Sequence, residues 1–199
     1  MASSAPPRHR FWRWFYDRSA FAYDAILLLA DRLRLGSEGP IRSQILAGAS
    51  LPARSRVLDL GCGTAASRPY LPGDILYVGM DISRGMLRRA KINCAARGQA
   101  AHFVQADARA LPFVVYSMDL ILVMGVLQHV DDPGLAIRET RRVASPQARL
   151  LLIDERRAQA RLLQAGQPTN ANFQLIGEYF ILDLQGQQKG VRLGAMHAC

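Results

Sequence analysis

The residues best suited to chemistry in this sequence lie in one short stretch, Asp59-Leu-Gly61-Cys62-Gly63-Thr-Ala65. Glycines two positions apart let the backbone turn sharply and approach a ligand with no side chain in the way. A helix starting after such a turn aims its free N–H groups at a carboxylate or phosphate. A tight strand-to-helix turn uses the same residues, so the loop alone identifies no ligand. Asp81 adds to it. It stands 20 positions after Gly61, a spacing that suits a carboxylate accepting hydrogen bonds from a ribose diol. Nicotinamide dinucleotides and S-adenosylmethionine both carry that diol, and these two features leave the choice open.

Two further stretches bear on the choice. In Gln105-Ala-Asp107-Ala108-Arg-Ala-Leu-Pro112-Phe113 the acid at 107 can accept the exocyclic amine of an adenine. The second stretch, Asp119 to Val130, runs through Met124 and Gly125 to His129. An imidazole titrates near neutrality, so His129 is the candidate catalytic base where one is needed. Its expected role is packing or hydrogen bonding within its loop. Cys62 reads as a small residue of the glycine loop and not as a nucleophile. Asp131 and Asp132 read as loop and cap carboxylates, not as an acid–base pair.

These residues need elements to hold them. Arg56 to Leu60 is a short apolar run stopped by Gly61, a buried strand. Ile75 to Met80 is a second strand, and Ser83 can cap a helix reaching about Arg97 with Leu87, Ala90 and Cys94 on its apolar face. Ala101 to Gln105 and Met118 to Met124 are the third and fourth strands. The fourth is apolar at nearly every position, as a central parallel strand buried on both faces should be. Asp132-Pro133 offers an N-cap with proline at the first helical position, and the helix runs to about Ala144. Ala148 to Ile153 is the fifth strand. Strands alternating with helices predict a parallel, doubly wound sheet with right-handed crossovers. Beyond Asp154 the pattern is weaker. A helix over 155–165, a loop over 167–172, and an antiparallel pair of Phe173–Leu184 with Gly190–His197, joined through residues 186–189, are expected. Before the sheet, residues 1–10 read as a disordered tail. A helix from about Trp12 to Leu35 puts Phe15, Ala22, Ile26, Leu29 and Leu33 on one face, and a shorter amphipathic stretch follows to about Ala47.

From Arg56 to Asp154 these residues resemble the methyltransferase type 11 family, a branch of the class I S-adenosylmethionine-dependent methyltransferases. The resemblance implies an α/β, Rossmann-like, doubly wound and mostly parallel seven-stranded sheet with helices on both faces and an N-terminal helical cap. It divides the chain into tail (1–10), cap (11–50) and methyltransferase domain (51–199). It implies S-adenosyl-L-methionine as cofactor, with Asp59, Gly61, Cys62 and Gly63 around its methionine part and Asp81 on its ribose. Ile82 would pack near the adenine, Asp107 and Ala108 would meet the adenine edge, and Met124 and Gly125 would lie beside the sulfonium. Two features depart from the pattern: Ala65 replaces the third glycine, and Pro146-Gln-Ala replaces a Pro-Gly-Gly turn. A Tyr-Asp pair recurs at Tyr16-Asp17 and Tyr23-Asp24. It resembles the opening helix of enzymes acting on quinone precursors and phospholipid head groups, where the segment covers the cofactor. Tyr16 and Tyr23 are therefore expected to face the pocket.

Composition limits the rest. Half of the residues are hydrophobic and 21% are charged, the balance of a globular domain. The longest apolar run, Ala25 to Ala30, falls far short of the roughly 20 residues that span a bilayer. Aromatic and charged residues follow Arg8, Arg10 and Arg13 where a signal peptide needs an apolar stretch, so a cytoplasmic chain is expected. Three cysteines without ligand spacing give no metal site and no disulfide framework. The net charge of +9 is almost all arginine, scattered and without a long basic run. The expected partner is a small-molecule acceptor of amphipathic character, lipid or quinone-type, with peripheral membrane contact. Charge keeps an RNA acceptor as the alternative, although the fourth-strand loop lacks the Asn/Asp-Pro-Pro-aromatic run that cradles a flipped base. A non-catalytic cofactor-binding module is the other, and a nicotinamide oxidoreductase would need the later motifs to be accidental.

Overall fold

The computed structural model describes residues 8–32, 42, 43, 46, 51–155, 172–176 and 179–183. Five strands form its parallel sheet: β1 (Arg56–Leu60), β2 (Leu76–Asp81), β3 (His102–Gln105), β4 (Met118–Met124) and β5 (Ala144–Glu155). They lie in the order β3-β2-β1-β4-β5, every neighbouring pair parallel. The order reverses between β1 and β4, where a doubly wound sheet leaves a crevice beyond its strand ends. Leu60 is in register with both Met80 and Val123, which brings the ends of β1, β2 and β4 to one level.

Alternate side chains of the strands feed two cores. On one face Leu58, Leu60, Met80, Ile121, Val123 and Leu152 pack under helix α3 (Pro133–Val143) through its Ala136 and Ile137. On the other, Val57, Tyr77, Leu120, Leu122 and Leu151 meet Ala90 and Cys94 of helix α2 (Arg84–Ala96). The one partly exposed residue of β4 is Asp119, at the strand end far from the crevice. It accepts hydrogen bonds from the Arg56 backbone N–H and guanidinium at 2.7–2.9 Å, which hold its carboxyl down at about 2. The two helix caps are in place: the Ser83 hydroxyl accepts from Met86 N–H, and the Asp132 carboxylate from Leu135 N–H.

Three expectations change. The N-terminal helix α1 spans Arg8–Arg32, so residues 8–10 are helical and not tail. Of its predicted apolar stripe, Phe15 and Leu29 are exposed and Ala22 is half-buried. The antiparallel pair closes within the first of the two predicted segments. Strands β6 (Asn172–Ile176) and β7 (Tyr179–Asp183) pair with each other, and β7 lies antiparallel beside β5. Glu155, the first residue of the predicted helix over 155–165, ends β5, and the rest of that helix, residues 1–7 and the segment 190–197 lie outside the described residues. So do the end of the first helix past Arg32 and most of the stretch leading to residue 50.

Candidate functional site

Beyond β1 the chain turns through Gly61 and Gly63, both at positive φ (+67° and +53°). At Gly61 a Cβ would stand 2.4 Å from Val126 Cγ2, so both conformation and space demand glycine. At Gly63 the same Cβ would meet nothing within 4 Å, because this glycine borders the cavity. Ala65 follows with φ +62° and is buried. The family's third glycine therefore answers a conformational need that a small side chain alone does not meet, and this alanine carries left-handed strain of about 1–2 kcal/mol.

Asp81 ends β2 facing that turn. Its Oδ2 accepts from Gly63 N–H at 2.9 Å and its Oδ1 from Ser83 N–H at 2.8 Å. Burial pushes this carboxyl above its ordinary range, and the backbone donors of Ser83, Gly63 and Ile82 only partly offset the rise. A carboxylate has about four acceptor positions, so two backbone donors fix Asp81 and leave lone pairs for a diol. Beyond β3, Asp107 is gripped by Arg109 through Nη2 at 2.7 Å and the backbone N–H at 2.9 Å. Arg109 also lies 3.5 Å from Asp131.

The cavity at the strand ends collects Gly61, Gly63, Asp81, Ile82, Asp107, Ala108, Met124, Gly125 and His129. Helix α1 lies across it, with Trp12, Tyr16 and Tyr23 on the wall. The Tyr16 hydroxyl is 3.2 Å from His129 Nε2, and the Trp12 ring centroid is 4.1 Å from that of His129. Two acids fasten the helix to α2. Asp17 Oδ1 accepts from the Ser83 hydroxyl at 2.7 Å and from Gly85 N–H at 2.9 Å. Asp24 Oδ2 accepts from Arg89 Nε at 2.7 Å and from Asn93 Nδ2 at 2.9 Å. The approach is close enough that a Cβ on Gly85 would stand 2.7 Å from the Asp17 carbonyl oxygen.

Two predicted cofactor residues do not reach the cavity. Asp59 points into the sheet, where its Oδ2 accepts from the Tyr77 hydroxyl at 2.6 Å and burial lifts its carboxyl to about 6. Cys62 is buried against β2, where a Cβ on Gly79 would come within 2.9 Å of its Sγ. Burial, with Asp59 and Asp81 nearby, pushes its thiol well above the ordinary value, so no thiolate is available for attack. Both residues support the loop from behind.

A methyltransferase domain model matches residues 58–152. Over that stretch the chain belongs to the S-adenosylmethionine-dependent methyltransferase domain family. A demethylmenaquinone methyltransferase of Roseiflexus castenholzii is 34% identical over 155 residues, 76% of this chain and 63% of that one. A 27-O-demethylrifamycin SV methyltransferase of Amycolatopsis mediterranei is 32% identical over 152 residues, 73% and 50% of the two chains. The chain thus spans between half and two thirds of the length of these curated relatives. Among solved structures, magnesium protoporphyrin IX methyltransferase from Synechocystis PCC 6803, with bound SAM, matches with a TM-score of 0.67 at 19% identity. That match covers 92% of this chain and 98% of the other, and at such identity it speaks for the fold.

The residues present fit this family's cofactor. An open face at Gly63 and a backbone-fixed carboxylate at Asp81 are what a methionine moiety and a ribose diol require, and Met80, Ile82 and Ala106 add an apolar wall beside them. Sequence reasoning missed Trp12, Met80, Met86, Ala106, Arg109, Val126 and Val130, all of which line the cavity. Arg109 was visible two positions after Asp107. The apolar ones carry no signal that distinguishes wall from core.

Proposed function

We propose that this chain transfers a methyl group from S-adenosylmethionine to an O, N or C nucleophile of a small molecule, with a lipid or quinone-type precursor as acceptor. The observation that carries the reading is the convergence of Gly63, Asp81 and Gly125 at the strand-order reversal beneath three aromatic side chains. The curated relatives named above methylate a menaquinone precursor and a rifamycin, which favours a bulky, largely apolar acceptor. The reading includes the family's complete seven-stranded sheet, with α1 as the cap that closes over the cofactor.

The cofactor would supply an already activated methyl group on a sulfonium. The remaining work is alignment and exclusion of water, which in well-oriented sites accounts for about 7–11 kcal/mol of barrier lowering. Asp81 would hold the ribose, the Gly61–Gly63 turn the methionine part, and Ile82, Asp107 and Ala108 the adenine end. Trp12, Tyr16 and Tyr23 would keep bulk water from the transfer path. His129, whose Nε2 meets Tyr16, would accept a proton from an acceptor that must lose one.

Titration calorimetry with S-adenosylmethionine and with NAD tests the cofactor half. Binding of the first and not the second is expected, and the reverse would end this reading. Incubating the protein with isotopically labelled S-adenosylmethionine and lipid or quinone precursors tests the other half, with label expected in the organic-soluble product.

A further inference from the structure

Helix α1 has two opposed faces. At about 100° per residue, Trp12, Tyr16 and Tyr23 fall together and line the cavity, while Asp17 and Asp24 lie beside them and grip α2. On the opposite side Phe11, Trp14, Phe15, Phe21 and Leu29 fall within an arc of roughly 120°. That side is in solvent: Phe21 is 81% exposed, Leu29 56%, Trp14 52% and Phe11 50%. Arg18 lies in the same arc with its guanidinium carbon 4.5 Å from the Trp14 ring centroid, and exposed Arg10 flanks it, with Arg13 further round towards Asp17. Asp24 is turned to α2 and does not face these arginines; Asp17 also bonds α2 but sits near Arg13, whose charge it partly offsets, which leaves Arg10 and Arg18 to the outer face. Helices normally hide such a stripe, and a sequence could have given the outer face to lysine and glutamate at no structural loss.

We infer that the outer face of α1 is a docking surface for a bilayer carrying anionic lipid. Tryptophan and phenylalanine settle at the boundary between head groups and acyl chains, and arginines beside them meet lipid phosphates. An arginine held at an anionic leaflet multiplies the partition coefficient about fivefold. The charge of +9 supplies the complementary sign. Among the described residues no helix is long and apolar enough to cross a membrane, so the helix would lie in the interface plane. The docking is independent of methyl transfer. Its purpose rests on the proposed function: an amphipathic acceptor would pass from the leaflet to the cavity that the same helix covers.

The test is cosedimentation of the full chain with phosphatidylcholine vesicles, with and without phosphatidylglycerol, at low and at high salt. Binding is expected only with phosphatidylglycerol, weakening as salt rises. Replacing Trp14→Ser together with Phe21→Ser should reduce it by about tenfold or more, since each loses an interfacial anchor. Neither residue lines the cavity, so S-adenosylmethionine affinity by calorimetry should be unchanged in the same protein. A second variant, Arg10→Glu with Arg18→Glu, probes the charge alone and should bind less tightly without loss of helical signal. The inference is overturned if the full chain stays in the supernatant when the vesicles pellet, or if both variants bind as the parent does. Stronger retention on an RNA oligonucleotide than on phosphatidylglycerol vesicles at equal salt would overturn it too. Vesicle binding by a chain that ignores S-adenosylmethionine would instead sustain the docking face and remove the methyltransferase reading.

Discussion

The two sides of the cavity are built in different ways. Its floor, at the ends of β1, β2 and β4, is made by backbone: two left-handed glycines, and N–H groups that fix the Asp81 carboxylate. Its roof, helix α1, is held mainly by side chains, with Asp17 on the start of α2 and Asp24 on Arg89 and Asn93. Titration separates them as well. Asp81 is pushed up, mainly by burial. Asp17 and Asp24 are pushed down: burial opposes this, and donors from Gly85, Ser83, Arg89 and Asn93 outweigh it. A lowered carboxyl contributes stability that is complete above its ordinary value and is lost only as pH falls through the lowered one. On acidification the floor therefore loses its charge first, while the roof stays fastened. A glycine turn set by backbone geometry is hard to change by mutation without cost to the fold. A roof held by a few carboxylates can loosen on its own.

The largest effect is expected at Gly61→Ala. Left-handed strain of about 1–2 kcal/mol and overpacking against Val126 of about 1–3 kcal/mol should lower stability by about 2–5 kcal/mol in denaturant unfolding. A fully stable variant would show that the floor yields as easily as the roof.

Asp81→Ala should leave the fold intact and weaken S-adenosylmethionine binding. Charge-assisted hydrogen bonds to a diol are worth about 1.5–3 kcal/mol, or about 10- to 150-fold in affinity. In the parent protein, calorimetry across pH should show binding weakening as pH falls through a value above the ordinary carboxylate range, because the anion is the form that accepts the diol. Unchanged affinity in the folded variant would take Asp81 off the ribose.

Asp17→Ala should have the smallest effect, about 0.5–2 kcal/mol as for the loss of a helix cap, localised to the roof. Hydrogen exchange is expected to quicken in α1 and at the start of α2 and to stay unchanged in β1 and β4. If this variant lost the cofactor as completely as Asp81→Ala, roof and floor would be one unit and the comparison would fail.

The floor was legible in sequence and the roof only in part, for a physical reason. Floor residues sit at strand ends, and strands announce themselves locally by apolar runs stopped at Gly61 and Gly125. Leu58 and Leu60 flank Asp59 in a strand of period two, and that alternation was the available sign that Asp59 turns to the opposite face from its neighbours. The roof depends on contacts between distant residues. The Tyr-Asp repeat marked one face of the helix, but nothing nearby indicates that Asp17 would cap α2 or that Phe15 and Leu29 would turn outward. The hairpin of β6 and β7 was misjoined because Phe173 to Leu184 is mostly apolar, with only Gly177-Glu178 to mark a turn inside it. The polar Gly-Gln-Gln-Lys stretch further on carries a stronger turn signal than Gly177-Glu178.

The fastening of α1 also sets an order of events. Its bonds to Ser83, Gly85, Arg89 and Asn93 span 65 to 69 residues, and Tyr16 reaches His129 across 113. Loops of that length close late in folding, after the local strand–helix units exist to receive them. On a ribosome adding about 5–20 residues per second, the aromatic helix is out for several seconds before its landing site has been made. During that interval its inner and outer faces are equally bare, and whatever first shelters the nascent helix meets both.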